Sequence, residues 1–294
     1  MRVSRMRGSK TAAFGVAGLL AATVLTGCGS EGSGDDTGSG SGKKTEGAKG
    51  GGEKSPSQVL QATNEKTADA GSARLKISTM VSTNGKSETV TGSGVMDFGG
   101  GTSKLTMGQQ GKKVEQRVVD KVLYQKPPKG KAQLPDGKPW LKIDLERLQA
   151  SGVAGTDQAS DPSDSFAYSK SLSDKGVKRV GEEEIGGVRT THYRVSLDID
   201  KLAQGDQKEA DKMREQLGDS VPVNMWVDDK GLTRRMQLEM SAKNGKGSGG
   251  KDKVKVVMDF SDFGTNVDVD VPPSSDTADV TDKVIKESQG RQKA

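Results

Sequence analysis

The chain is poor in the residues from which most enzyme centres are built. One cysteine and one histidine occur in 294 residues. A single thiol excludes an intramolecular disulfide framework and every multi-cysteine zinc or iron–sulfur site, and a single imidazole excludes a histidine cluster. Aromatic residues make up 3% of the chain and hydrophobic residues 31%, against ~45–50% apolar usage, glycine included, in an ordinary domain. With 40 glycines and 29% charged residues, one core filled evenly from end to end is excluded. Part of the chain must lie outside the domain. Long hydrophobic runs are scarce too, with one exception at the start.

There, Arg2, Arg5, Arg7 and Lys10 precede an almost wholly small or apolar stretch, residues 11–26. A basic segment, a short apolar run and a polar Gly/Ser tract are the parts of a secretory signal, too short and wrongly flanked for a membrane span. The run ends on Leu25-Thr26-Gly27-Cys28, which has the form of a bacterial lipobox. In such a motif the cysteine thiol takes a diacylglycerol, the leader is cut just before it, and further acylation such as palmitate completes the anchor. The only cysteine stands where that chemistry requires it; an ordinary signal with an incidental cysteine is the alternative. No twin-arginine pair is present, which points to the general export route. Residues 1–27 are therefore expected to be a lipoprotein signal peptide, with Cys28 lipidated on the extracytoplasmic face of the cell membrane.

This reading redistributes the charge. Four of the 45 Lys and Arg residues lie in the leader, so 41 cationic side chains face 40 acids in the remainder. The formal +5 is mostly a targeting feature, and it no longer argues for nucleic acid. Residues 28–55 read as the lipidated cysteine and a flexible Gly/Ser-rich tether, with a root-mean-square reach of roughly 5–6 Å × √n. Pro272-Pro273 stops a strand, and residues 274–294 read as a polar tail, frayed or forming one short helix. That leaves residues 56–273 as one domain.

Within the domain the period is mostly two. Ser55-Pro56 opens a short helix that Gly71 ends. Alternating strands follow at residues 73–81, 89–98, 103–107, 114–119 and 122–125, separated by tight turns, and two-residue connections make them antiparallel. Trp140 to Leu148 suggests a strand end passing into a helix, and residues 162–172 a further helix. Two strands then meet at Gly186-Gly187. Residues 203–217 place Ala210, Met213 and Leu217 on one side of a charged helix. Strands at 221–227, 232–240 and 254–260 follow, and Val267 to Val271 is expected to close the sheet. The sum is an α+β layer: one large, curved antiparallel sheet with a few helices covering its concave side.

Three segments carry a family resemblance: Gly181 to Val195 (GEEEIGGVRTTHYRV), Val223 to Leu232 (VNMWVDDKGL) and Ser261 to Pro273 (SDFGTNVDVDVPP). They resemble the LppX/LprAFG-like lipoproteins, grouped with LolA and LolB among lipid and lipoprotein carriers. The resemblance implies a half-barrel whose concave face forms an apolar cavity for acyl chains. It implies no catalysis, no cofactor, and no universal functional residue beyond the lipidated cysteine, here Cys28.

Strand parity gives the candidate cavity residues independently: Leu75, Ile77, Met96, Phe98, Leu105, Met107, Met225, Met236, Leu238, Met240, Met258 and Phe260, with Val223, Val227 and Val256 on the same faces. Eight methionines against four phenylalanines follow the leader, and flexible thioethers adapt to variable acyl chains better than rigid rings do. Plain core filling is the competing explanation for each of these positions.

Other candidate chemistry dissolves. His192 shares a strand face with Thr190, Arg194 and Ser196 and reads as a solvated histidine without a nucleophile context. Residues 245–251 (GKGSGGK) carry part of a phosphate-loop pattern, but Asp252 replaces the hydroxyl residue and a strand follows instead of a helix. Glu182 to Glu184 and Asp268/Asp270 lack the ligand spacing of a calcium loop. One charge feature remains: Lys126, Lys129, Lys131, Lys138 and Lys142 oppose only Asp136 around Trp140. They form either a plain solvated loop or a contact with anionic headgroups at the cavity mouth, each nearby Lys contributing about 1 kcal/mol. For that contact Lys126, Lys129, Lys131, Lys138 and Trp140 are the candidates.

Two function classes result. The first is a monomeric, membrane-tethered protein that binds lipid or glycolipid acyl chains and transfers them in the envelope. The second is a non-enzymatic envelope sensor or interaction lipoprotein with the same fold and a protein partner. An envelope enzyme is a distant third, and nucleic acid is not an expected partner.

Overall fold

The computed structural model describes residues 54–292, apart from 84, 110, 129–134, 152–171, 173, 204–206 and 244–250. Ser55 caps α1 (Pro56–Asp69): its hydroxyl accepts from the Gln58 N–H while the Gln58 side chain accepts from the Ser55 N–H, and Pro56 occupies the first turn. This reciprocal pairing satisfies donors that a helix start leaves open. Gly71, at φ 77°, turns the chain out of the helix into the sheet, a conformation that costs glycine little.

Among the described residues twelve strands form one sheet. β1 (Ser72–Thr83), β2 (Lys86–Asp97), β3 (Ser103–Gln109), β4 (Lys112–Val119), β5 (Val122–Lys126) and β6 (Trp140–Asp144) make a first antiparallel meander, followed by α2 (Leu145–Ala150). The second meander has β7 (Val177–Ile185), β8 (Val188–Asp198), the short turns of α3 (Ile199–Leu202), α4 (Gln207–Leu217), β9 (Ser220–Asp228), β10 (Thr233–Lys243) and β11 (Lys251–Ser261). β1 pairs with β11, so the two meanders join along their first and last strands. β12 (Thr277–Asp279) then adds to β6 as a parallel pair, and α5 (Thr281–Gln292) follows. The strand order is β12-β6-β5-β4-β3-β2-β1-β11-β10-β9-β8-β7. The expected α+β architecture, a large open sheet with helices on one face, is what forms.

Two apolar clusters lie on the inner face of the sheet, the face bearing Leu75 and Ile77. The larger joins β1, β8, β9, β10 and β11 to Leu60 of α1, Ile199 of α3 and Ala210 of α4. The smaller holds Leu123, Leu141 and Ile143 under Leu145 and Leu148 of α2, with Ala278, Val280, Val284 and Ile285 from the C-terminal segment. Full burial of one such Leu or Ile side chain contributes about 1.5–3 kcal/mol.

The ends of the domain differ from expectation. Residues 265–273 form no strand; they run extended along the end of the sheet, where the Asp270 carbonyl accepts from Arg117. Exposed Asp268 and Asp270 alternate with half-buried Val267 and Val269, a pattern that mimics a strand, but Val271 is exposed and no described strand pairs with the segment. The short helix expected after residue 274 is present as α5, but the described part of this segment is not a free tail. Ala278 and Val280 are buried, and Val284 and Ile285 follow at helical spacing onto α2, so the domain extends to α5. The helix expected within 162–172 lies almost wholly outside the described residues, as does the partial phosphate-loop pattern over 245–250. The helix expected at 203–217 is present as α4, with Ala210 buried and Met213 and Leu217 packed on the core.

Candidate functional site

Ladder register sets the inner face out in transverse rows. One row runs Tyr193, Met225, Met236, Met258, Ile77, Gly92, Met107, Val114 across eight strands. Four methionines thus lie in a line, interrupted by Ile77 and by a glycine. Above it, Val195, Val223, Leu238, Val256, Thr79 and Val90 form a second row. Below it, Phe260, Leu75, Gly94 and Leu105 lead to Gln116 and Gln125. Alternation along each strand makes these rows, and all twelve candidate cavity residues belong to the larger cluster or pack against it.

They are not equally buried. Leu75, Ile77, Phe98, Met107, Met225, Met236, Leu238 and Phe260 are buried, whereas Met96, Leu105, Met240 and Met258 are half-buried. The lower end is closed by Phe98 and Phe260, with ring centroids 6.3 Å apart. Exposure rises towards the opposite end, through half-buried Val90, Val254 and Met240 to Val81 at 40%. The face is therefore closed at one end and accessible at the other.

Two glycines shape the middle. A Cβ on Gly92 would lie 2.3 Å from Met107 Sδ and 2.8 Å from Ile77 Cγ2, so these side chains fold over a position with none of its own. A Cβ on Gly94 would lie 1.9 Å from the Lys104 carbonyl oxygen. There the backbone of β3 itself closes on the inner side of β2. Parity reasoning picked out neither glycine; glycines at successive inward positions of a strand were the available signal. It also missed Val90 and Val114.

The inner face carries polar groups as well. Thr79 stands between Val256 and Val90, and its hydroxyl is buried without a hydrogen-bond partner; Thr63 Oγ1 and both side-chain polar atoms of Asn64, on α1, share that state. Burial holds the Tyr193 phenol above its ordinary pKa, only partly offset by the charge of Arg179.

The outer face is chemically distinct. A depression of about 500 Å³ there is lined by Lys76, Ser78, Thr91, Ser93, Thr106, Lys113 and Asp259 together with Ile77, Gly92, Gly108 and Val257, so charged and hydroxyl groups mix with apolar ones. Next to it Arg235 donates twice to Asp259 (2.5 and 2.9 Å), the contact that chiefly raises the arginine pKa, and its guanidinium lies 5.9 Å from the Trp226 ring centroid. Trp226 stacks on His192 with centroids 4.3 Å apart and donates to Glu183.

His192 is therefore not a solvated histidine. It faces outward as expected but is only 7% exposed, because Trp226 covers it, Nδ1 bonds Glu183 and Nε2 bonds Asn224, each at 2.9 Å. Neither ring nitrogen is turned to a hydroxyl or thiol nucleophile. Among the described residues no group of three His, Cys, Asp or Glu side chains could hold a metal ion.

In the lysine-rich segment the tryptophan is covered. Trp140 is buried, with the Arg117 guanidinium 4.7 Å and Lys126 Nζ 5.4 Å from its ring centroid. Cations fold onto the indole face, a cation–π contact, so the ring does not reach a membrane surface. Lys138 donates to the Thr277 carbonyl at 3.1 Å. Lys129 and Lys131, like Cys28, lie outside the described residues. No helix of the described residues is long and apolar enough to cross a membrane.

No protein-family model matches the chain. The chain is 29% identical over 246 residues to the Streptomyces coelicolor protein named "Putative lipoprotein SCO4650", covering 79% of this chain and 77% of that one. It is 27% identical over 248 residues to the Streptomyces griseus "Uncharacterized 31.2 kDa protein in rplA-rplJ intergenic region", covering 76% and 79%. Among solved structures, the Mycobacterium tuberculosis lipoprotein LppX aligns with 72% of this chain and 98% of its own, at 16% identity and a TM-score of 0.42.

Proposed function

We propose that this protein is an envelope lipoprotein, anchored through Cys28, that takes lipid or glycolipid acyl chains against the inner face of its sheet and carries them between envelope sites. The observation that carries the reading is the methionine row over Gly92. Met107 and Ile77 cover a position without a side chain, beside half-buried Leu105, Val90 and Val114. An unbranched thioether moves aside at low cost, so an acyl chain entering from the Val81 end can take its place over Gly92. Each methylene withdrawn from water contributes about 0.8 kcal/mol. Carriage needs no reacting group. The name of the streptomycete relative supports the anchor and the envelope location.

Native mass spectrometry of the full-length chain, extracted gently from membranes, tests the binding. Wild-type protein carries acyl-lipid adducts, and Gly92→Leu, which puts a side chain where Met107 and Ile77 now fold over β2, loses most of them while remaining folded. Absence of any adduct from wild type favours the interaction-lipoprotein alternative. For the anchor, Cys28→Ser moves the protein out of the membrane fraction; retention there contradicts it.

A further inference from the structure

The face of α1 turned to the sheet bears Leu60, Thr63, Asn64 and Thr67, none more than 2% exposed. Thr67 is fully used: its hydroxyl donates to the Thr63 carbonyl at 2.7 Å and accepts the Thr233 N–H at 3.1 Å. Asn64 is not, since neither Nδ2 nor Oδ1 has a partner, and the neighbouring Thr63 hydroxyl has none. Thr79, inward on β1 between two valines, repeats the situation. A buried polar group left unpaired costs about 1–3 kcal/mol. Leucine and valine would occupy these positions without that cost, as Leu60 does one turn earlier on the same helix face. Four such atoms, three on the buried side of α1 and one inward on β1, are accounted for if the ligand brings their partners.

The ligand chemistry follows from the atoms. The asparagine amide presents two N–H donors and a carbonyl acceptor side by side, so its complement both accepts and donates. The strand ion pairs Arg235–Asp259, Arg117–Glu115 and Lys255–Glu239 sit at outward register positions, and an anion buried on the inner face would lack a counter-charge. A bare hydrocarbon would leave the amide unpaired, and an ether or ester oxygen would leave its carbonyl so.

We propose that Asn64, assisted by Thr63, is a hydrogen-bonding anchor within the acyl site, selecting chains that carry a neutral donor–acceptor group, a hydroxyl or a secondary amide. Thr79 offers a second such contact further along the sheet. The proposal rests on the acyl-binding reading above and names its ligand class.

The test uses the full-length chain, delipidated in detergent, and three probes of equal chain length: 1-hexadecanol, N-methylhexadecanamide and 1-methoxyhexadecane. The alcohol and the amide bind at least about fivefold more tightly than the methoxy compound, the margin of one net hydrogen bond. Asn64→Leu erases that preference while its melting temperature holds or rises. Thr63→Val, nearly isosteric, narrows the preference and serves if Asn64→Leu does not fold. Equal binding of all three probes to wild type, or a preference that survives both substitutions, overturns the anchor and leaves acyl binding standing. Failure of every probe to bind overturns the acyl site and the anchor together.

Discussion

The two ends of the sheet bury similar residues for different ends. Around β12, β6 and β5, Ile143, Leu145 and Leu148 are almost wholly inaccessible, and α2 and α5 close over them. Around β1 and β8–β11, Val195, Val223 and Met225 are as deeply buried. The rows that begin there continue, however, into half-buried Met240, Val254 and Met258 and into β2 and β3, where Gly92 and Gly94 replace side chains. Gln116, Gln125 and Ser103 then separate the two clusters. One end is a closed core of branched aliphatics. The other grades from a closed core into flexible side chains over bare backbone, and that gradient, not apolar content alone, is what suits it to admit a ligand.

The comparison can be broken from either side. The largest expected effect is at the closed end: Leu148→Ala, a buried truncation with no room to collapse under α5, lowers unfolding free energy by about 2–5 kcal/mol. Acyl adducts on the fraction that remains folded are unchanged, and urea titration combined with native mass spectrometry reads both quantities. Next comes the junction. Gly94→Val drives a β-branched side chain into the Lys104 carbonyl and costs about 1–3 kcal/mol, as overpacking does. It also weakens acyl binding, because β3 must shift and carry Met107 with it. A Gly94→Val protein as stable as wild type would show that the close approach of β3 to Gly94 is not needed.

The smallest effect is electrostatic. Burial acts to raise the Asp279 pKa, but the hydroxyl and N–H of Thr281 and the charge of Lys142 outweigh it and hold it below 3.8. A depressed carboxyl stabilises the fold above its unfolded value and loses that contribution as pH falls through its folded value. Acid below about pH 4 therefore loosens β12 and α5 by this route, faster amide exchange at residues 277–285 reports it, and Asp279→Asn removes most of the dependence. The gain is modest, since the Lys142–Asp279 pair is 3.6 Å apart and partly exposed.

Alternation carried much of this fold in plain view. A period of two survives burial on one face, so the strands and the shared face of all twelve candidate residues could be read from the chain. What escaped depended on partners from distant segments. His192 was placed outward correctly, but outward is not exposed when Trp226, 34 positions later, stacks on it. Trp140 looked like a surface anchor among lysines until Arg117 and Lys126 covered its ring. Residues 267–271 alternate in sequence as a strand does, yet no described strand pairs with them, and β12 took the edge beside β6. Gly92 and Gly94 were the least legible, because a missing side chain reports nothing about which neighbour will close over it.

The most direct measurement is photo-crosslinking of the full-length, membrane-extracted chain with a diazirine-bearing fatty acyl probe, followed by peptide mapping. Acyl binding at the adaptable end predicts labels at inward positions of β1–β3 and β10–β11, Met107, Met240 and Val254 among them, and their loss in Gly92→Leu. Labels concentrated on the outer face around Lys76 and Trp226, or within the α2–α5 cluster, would contradict it.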